Sequence, residues 1–207
     1  MRPRGLLALT ALLGGAGLFC AASSARPRKA PRVPQRIVAI ILCAEQLVLA
    51  LADREQIAGL THNATDPEMS GEAAKARGLP LLSNSAEQIL AIEPDLIVGM
   101  PASRSAALRA LPEQSYPLLD LATANTLDEI YTSIRQTAVA VGHPERGDAL
   151  IARMQGELAG LPKPGKGRLA AYYQRRGYMT GTGTLIDELM TRVRLVNLGD
   201  KLGKPPL

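Results

Sequence analysis

The sequence predicts an α/β protein, and three observations predict it. Between residues 36 and 125, short β-branched apolar runs alternate with stretches whose apolar residues recur at helical spacing. A helical pattern then continues, with one interruption, over residues 126–161. A strand, a glycine-rich bend and a helix begin again within residues 162–207. The chain is therefore expected to form a first α/β lobe with a mostly parallel sheet, a long helical connection and a second, incomplete α/β lobe. One strand and one helix cannot bury both faces of a sheet.

The elements follow in order. "QRIVAIILC" is a continuous β-branched run ending at Cys43, the mark of a strand buried on both faces, and "AEQLVLALAD" after it places Leu47 and Leu51 at helical spacing. "QIAGLT" reads as a second strand, and the polar "THNATDPEMS" after it as a loop at that strand's C-terminal end. "LPLL" reads as a third strand. Asn84 or Ser85 can cap a helix carrying Ile89, Leu90 and Ile92, Pro94 stops it, and residues 95–100 form a fourth strand. "PASRSAALRAL" repeats the loop and helix, and "YPLLDL" is a fifth strand.

Thr126 and Glu129 fit a capping box, opening a helix with Leu127, Ile130, Tyr131, Ile134, Ala138 and Val141 on one face. Gly142, His143 and Pro144 interrupt it. The pattern resumes over residues 145–161 with Leu150, Ile151, Met154 and Leu158 on one side, and "PKPGKG" ends it. So much helix exceeds what a simple crossover between strands needs. After the apolar run near Leu169 and the helix near Leu185, residues 193–196 are expected to form a short strand and the rest a tail.

Residues 1–25 are set apart as an export signal: Arg2 and Arg4 give a positive start, residues 5–19 are uncharged and largely apolar, and Ser23 and Ala25 supply small residues for cleavage. Cys20 opens the alternative of lipid anchoring, although Leu18 and Phe19 stand where such a signal prefers small residues. Residues 26–35 read as a flexible leader. Taking Arg2 and Arg4 from the 24 basic residues leaves 22 against 19 acids, a net charge of +3. Without aromatic interleaving, that mild charge gives no footprint for nucleic acid. Cys43 is the one cysteine left after cleavage, which excludes an intramolecular disulfide and a thiolate metal cluster.

No enzyme or cofactor signature is found: there is no "GKT" or "GKS", no serine elbow with a histidine, and no paired carboxylate motif. The bend in "YYQRRGYMTGTGTLIDELM" shares its strand, loop and helix plan with phosphate-cradling loops. It lacks the third glycine of a dinucleotide fingerprint, since Gly181 and Gly183 are followed by Thr184, Leu185 and Ile186.

On "RIVAIILCAEQLVLALAD", "SAEQILAIEPDLIVG", the helix of residues 144–161 and "GYMTGTGTLIDELMTRVRLVNLG", the chain resembles the periplasmic substrate-binding proteins of ABC importers for cobalamin, ferric siderophores or haem. The resemblance implies two α/β lobes joined by one rigid helix, ligand in the cleft between them, no catalysis, and a monomer that works with a permease and its ATPase. It also implies that one exposed glutamate per lobe docks on permease arginines, and Glu87 is the first-lobe match. The second-lobe match would lie past Leu207, so a truncated, non-transporting remnant stands as the alternative reading, and an exported nucleotide-binding protein as a third.

Cleft residues belong at strand C-terminal ends, where loops face the gap. The candidates there are Cys43, Ala44, Glu45, His62, Asn63, Pro101, Ala102, Ser103 and Arg104 in the first lobe, and Tyr172, Tyr173, Gln174 and Tyr178 in the second. Bland readings compete: His62 as an ordinary loop histidine rather than an axial ligand, Cys43 as a small packed residue, and Arg175 and Arg176 as solvated charges. Tyr172 and Tyr173, if both lie on a strand, point to opposite faces, so at most one of them joins Tyr178 in the cleft.

Overall fold

The computed structural model describes residues 32–83, 85–101, 105–110 and 116–203. Five short strands form one parallel sheet: β1 (Ile37–Ala39), β2 (Ile57–Thr61), β3 (Leu81–Leu82), β4 (Leu96–Gly99) and β5 (Leu118–Asp120), in the order β3-β2-β1-β4-β5. The chain thus winds outward from β1 in one direction, returns, and winds outward in the other. Such an order leaves a crevice where the winding reverses, at the C-terminal ends of β1 and β4.

Side chains alternate faces along each strand. Ile37, Ala39, Leu96 and Val98 face the larger core with α1 (Leu42–Leu51), whose Ala44, Val48 and Leu51 are fully buried. Val38, Ile40 and Ile97 face a smaller core with Ile89 of α3 (Ala86–Ile92) and Leu108 of α4 (Ala106–Arg109). Both faces are covered, so the strands read as unbroken apolar runs, as the sequence suggested. The short α2 (Ala73–Ala76) adds Ala76 to the larger core.

The "EPD" bend has a clear task. Asp95 accepts the backbone N–H groups of Gln35 (2.7 Å) and Arg36 (2.8 Å), fixing the start of β1 against β4. Ser85 caps α3 by accepting from the Gln88 N–H, and Glu93 ends that helix in the left-handed region (φ 50°) before Pro94. Asn84 lies outside the described residues.

Four expectations are corrected. The first strand ends at Ala39, and Cys43 already sits in the first turn of α1. The apolar run spans both elements because each is buried there, so composition alone does not mark the boundary. The helical connection is a hairpin: α5 (Leu127–Val141) and α6 (Pro144–Ala159) fold back on each other at Gly142 (φ 91°) and His143, with Gly147 against Ala138 and Arg135 paired to Asp148. α6 falls within the helix expected over residues 144–161 and is 16 residues, about 24 Å, long. Residues 193–195 make a turn, with Arg194 at φ 60°, and the strand is β7 (Val196–Asn197). The supposed tail forms a short helix, α8 (Leu198–Lys201).

Beyond α6, β6 (Leu169–Ala170) pairs in parallel with β7 across α7 (Leu185–Arg192). Thr184 caps α7, and the Asn197 amide bonds Asp187 (2.9 Å) and the carbonyl of Gly181 (3.3 Å). A polar knot holds the hairpin's elbow to the first sheet. Asp53 contacts His143 (3.1 Å) and Arg146 (2.6 Å), and the buried Gln56 donates to the Val141 carbonyl (3.1 Å).

Candidate functional site

Two cavities lie along the C-terminal edge of the five-stranded sheet, one on each side of the reversal point, and Ile41, just past β1, touches both. The smaller, about 400 Å³, is bounded by residues 40–42, by Thr61, His62 and Asn63 after β2, and by Leu82 and Ser83. The larger, about 610 Å³, lies between the outer face of α1 (Cys43, Gln46, Leu47), Met100 after β4, residues 121–124 after β5, and Ile130 and Ser133 of α5. Both volumes fall in the range of pockets that take small ligands.

Of the first-lobe candidates, His62 and Asn63 are exposed on a 3-10 turn, His62–Thr65, and border the smaller cavity. Cys43 is exposed at the larger one rather than packed away. Neighbouring atoms still desolvate its sulfur enough to push the thiol pKa up, so at neutral pH it is a neutral thiol and not a thiolate. Pro101 follows Met100 and is half-buried; Ala102, Ser103 and Arg104 lie outside the described residues.

Ala44 and Glu45 are corrected as ligand contacts. Both are fully buried, because the helix begins earlier than the sequence suggested and turns these positions toward the sheet. Sequence reasoning missed the larger cavity's wall at Ile41, Gln46, Met100 and residues 121–124. The strand-end rule, if applied to "YPLLDL" as it was to the earlier strands, points to residues 121–124.

Tyr172, Tyr173, Gln174 and Tyr178 share one compact loop. The Gln174 N–H donates to the Tyr178 carbonyl (2.7 Å), the Thr180 N–H to the Tyr172 carbonyl (3.1 Å), and the Gln174 side-chain amide to the Thr180 hydroxyl (3.0 Å). Gln174 therefore builds the loop. Its tip is the 3-10 turn Arg175–Gly177, with Arg176 at φ 63° and Gly177 at φ 81°. β6 ends before Tyr172, so strand alternation does not separate the tyrosines; Tyr172, Tyr173 and Tyr178 are 50%, 72% and 56% exposed. Arg175 and Arg176 are exposed beside them.

A bond ties this C-terminal region to the wall of the larger cavity: Glu188 of α7 accepts the N–H of Leu127 (2.9 Å), the first residue of α5, three positions after Ala124. That bond, with Arg192 beside it, holds the Glu188 carboxyl below its usual pKa. The start of α7 offers no phosphate cradle, since Asp187 already accepts the Gly183 N–H and places its own carboxylate there. Glu87 is exposed in the first turn of α3, where its backbone N–H and the Ser85 hydroxyl favour the ionised form. Among the described residues no cluster of His, Cys, Asp and Glu is arranged to hold a metal ion, and no helix is long and apolar enough to cross a membrane.

The sequence profile of the periplasmic binding proteins matches residues 37–204, from β1 to just past α8. The chain belongs to the periplasmic binding protein family. A vitamin B12-binding protein of Pectobacterium carotovorum is 30% identical over 143 residues, covering 67% of this chain and 50% of that protein. An uncharacterized ABC transporter substrate-binding lipoprotein, YvrC of Bacillus subtilis, is 25% identical over 136 residues, covering 64% of this chain and 42% of that protein. The chain thus spans about half the length of the curated relatives it matches. Among solved structures, a possible iron-binding periplasmic solute-binding protein of Staphylococcus epidermidis superposes with a TM-score of 0.70 at 16% identity, covering 82% of this chain and 69% of that one. At that identity the match bears on the fold, and this periplasmic binding protein shares it.

Proposed function

We propose that this periplasmic binding protein is the solute-capturing component of an ABC importer, taking a corrinoid or metal-chelate ligand and delivering it to a permease and its ATPase without turning it over. The observation that carries the reading is the larger cavity beside the reversal point of the parallel sheet, about 610 Å³, with Ile41, Leu47, Met100, Leu121 and Ile130 among its walls. The loop bearing Tyr172, Tyr173 and Tyr178 supplies flat apolar faces, and Arg175 and Arg176 supply partners for ligand carboxylates. The name of the Pectobacterium relative favours a corrinoid; haem and ferric siderophores are the other members of the class.

In this reading the exposed, ionised Glu87 meets the permease, and the export signal of residues 1–25 delivers the protein outside the cytoplasm. Calorimetric titration of the purified protein with cyanocobalamin, haemin and a ferric siderophore tests it. Saturable binding of one of the three, weakened by Tyr173→Ala, is expected; no binding of any refutes the reading.

A further inference from the structure

Glu45 is the least accommodated side chain in the described structure. It is a carboxylic acid at 0% exposure in the first turn of α1, a helix that gives the fully buried Ala44 and Val48 to the larger core. One oxygen accepts the backbone N–H of Thr61, the last residue of β2, at 2.5 Å. The other oxygen, Oε2, is buried and has no hydrogen-bond partner among the described residues. Burial of this kind pushes the carboxyl's pKa up, with the Thr61 bonds opposing it. An apolar side chain would fill the same space without that cost, and the partner the carboxyl gains in return is Thr61.

The chain just beyond Thr61 supplies the reason. Thr61 borders the smaller cavity, and the 3-10 turn His62–Thr65 starts at the next residue, carrying His62 and Asn63 into the same cavity wall. At that point β2 has run out of ladder: its registered pairs with β3 are Leu60 with Leu81 and Thr61 with Leu82, and Leu82 ends β3. The chain must leave the sheet here and turn, and the Thr61 N–H finds its acceptor on a helix rather than on a strand.

We propose that Glu45 is a positioning residue of the ligand site, its buried carboxyl fixing Thr61 and, through it, the turn that presents His62 and Asn63 to the smaller cavity. It touches no ligand itself. The proposal deepens the solute-capturing function and rests on it for its meaning: it extends the ligand's site from the larger cavity to the smaller one, which shares Ile41 with it.

Hydrogen exchange on ligand-free protein tests the role of Glu45 apart from that function. The wild type is compared with Glu45→Gln, Glu45→Leu and Glu45→Asp. Glu45→Gln keeps an acceptor at the same reach and is expected to match the wild type at the amides of residues 61–65. Glu45→Leu keeps volume and removes the acceptor, while Glu45→Asp keeps the acid and withdraws it by one methylene. Both are expected to speed exchange at those amides about tenfold or more, with α5 and α6 unchanged. Should Glu45→Leu fail to fold, Glu45→Asp decides alone. Slow exchange at residues 61–65 in Glu45→Asp overturns the proposal, as does loss in Glu45→Gln equal to that in Glu45→Asp. Titration of the same variants with cyanocobalamin, haemin and a ferric siderophore then reads affinity. A roughly tenfold weakening in Glu45→Asp, restored in Glu45→Gln, is the expected result. If the wild type binds none of these ligands, the functional reading falls while the exchange data still decide whether Glu45 holds the turn.

Discussion

Replacing Glu188 with alanine tests how firmly the C-terminal α/β region is tied to the first sheet. In the native protein one carboxylate oxygen accepts the Leu127 N–H, a donor that the start of α5 otherwise leaves open, while Thr126 takes the Glu129 N–H and Glu129 takes that of Asn125. Removing a cap of this kind costs about 0.5–2 kcal/mol, and the lost Glu188–Arg192 pair adds about 0.3–0.5 kcal/mol. The sum, roughly 0.8–2.5 kcal/mol, corresponds to about 2–10 °C in Tm for a domain of this size.

Arg192→Ala removes the pair alone and should lower Tm by no more than about 2 °C. Because the bonds hold the Glu188 pKa below its unfolded value, its stabilisation is present at neutral pH and lost as pH falls through the folded pKa. The gap between wild type and Glu188→Ala should therefore close in acid below about pH 4. Thermal melts from pH 3 to 8 read both effects. Equal melting points for Glu188→Ala and Arg192→Ala at pH 7, or a gap that persists in acid, refute the reasoning.

Ile134→Ala should destabilise by about 2–5 kcal/mol in denaturant titration, since Ile134 is 1% exposed where α5 joins the core and its loss opens a cavity. Gly99→Ala should cost about 1–3 kcal/mol, because the new methyl would sit 2.5 Å from Cγ1 of the buried Ile40. For Glu45 the linkage has the opposite sign to Glu188. Its pKa is raised on folding, so stability falls as pH rises through the carboxylate range toward that raised value; Glu45→Gln should flatten this dependence in melts from pH 4 to 8. Glu87→Ala should leave ligand titrations unchanged while abolishing ligand-stimulated ATP hydrolysis by the reconstituted importer, and unchanged stimulation removes Glu87 from the docking surface.

Most of the fold was legible in the sequence because its cause is local. β-branched runs buried on both faces and helices with one apolar stripe leave separate periodicities, and Ser85, Thr126, Gly142 and Pro144 mark helix ends by their own chemistry. What could not be read was where one buried element hands over to the next. In residues 37–51 strand and helix are equally apolar, and placing the boundary near Cys43 rather than Ala39 turned Ala44 and Glu45 toward the cleft when they face the core. The elbow at Gly142 was read only as an interruption of the helical pattern, because a hairpin and a kinked helix share the same residues there. The pairing of Glu188 with Leu127 is a contact over 61 residues and leaves no local trace.

The helical hairpin also sets an order of events in time. Ala138 and Gly147 meet across a two-residue elbow, nine positions apart, while Ile37 must find Leu96, 59 positions on, before the central strands pair. Closing the short loop costs far less chain entropy than closing the long one. The α5–α6 hairpin can therefore assemble while the flanking chain is still searching, and the first sheet and α1 then pack on a helix pair that is already formed. The contacts that need the least searching are thus in place before the central strands have met.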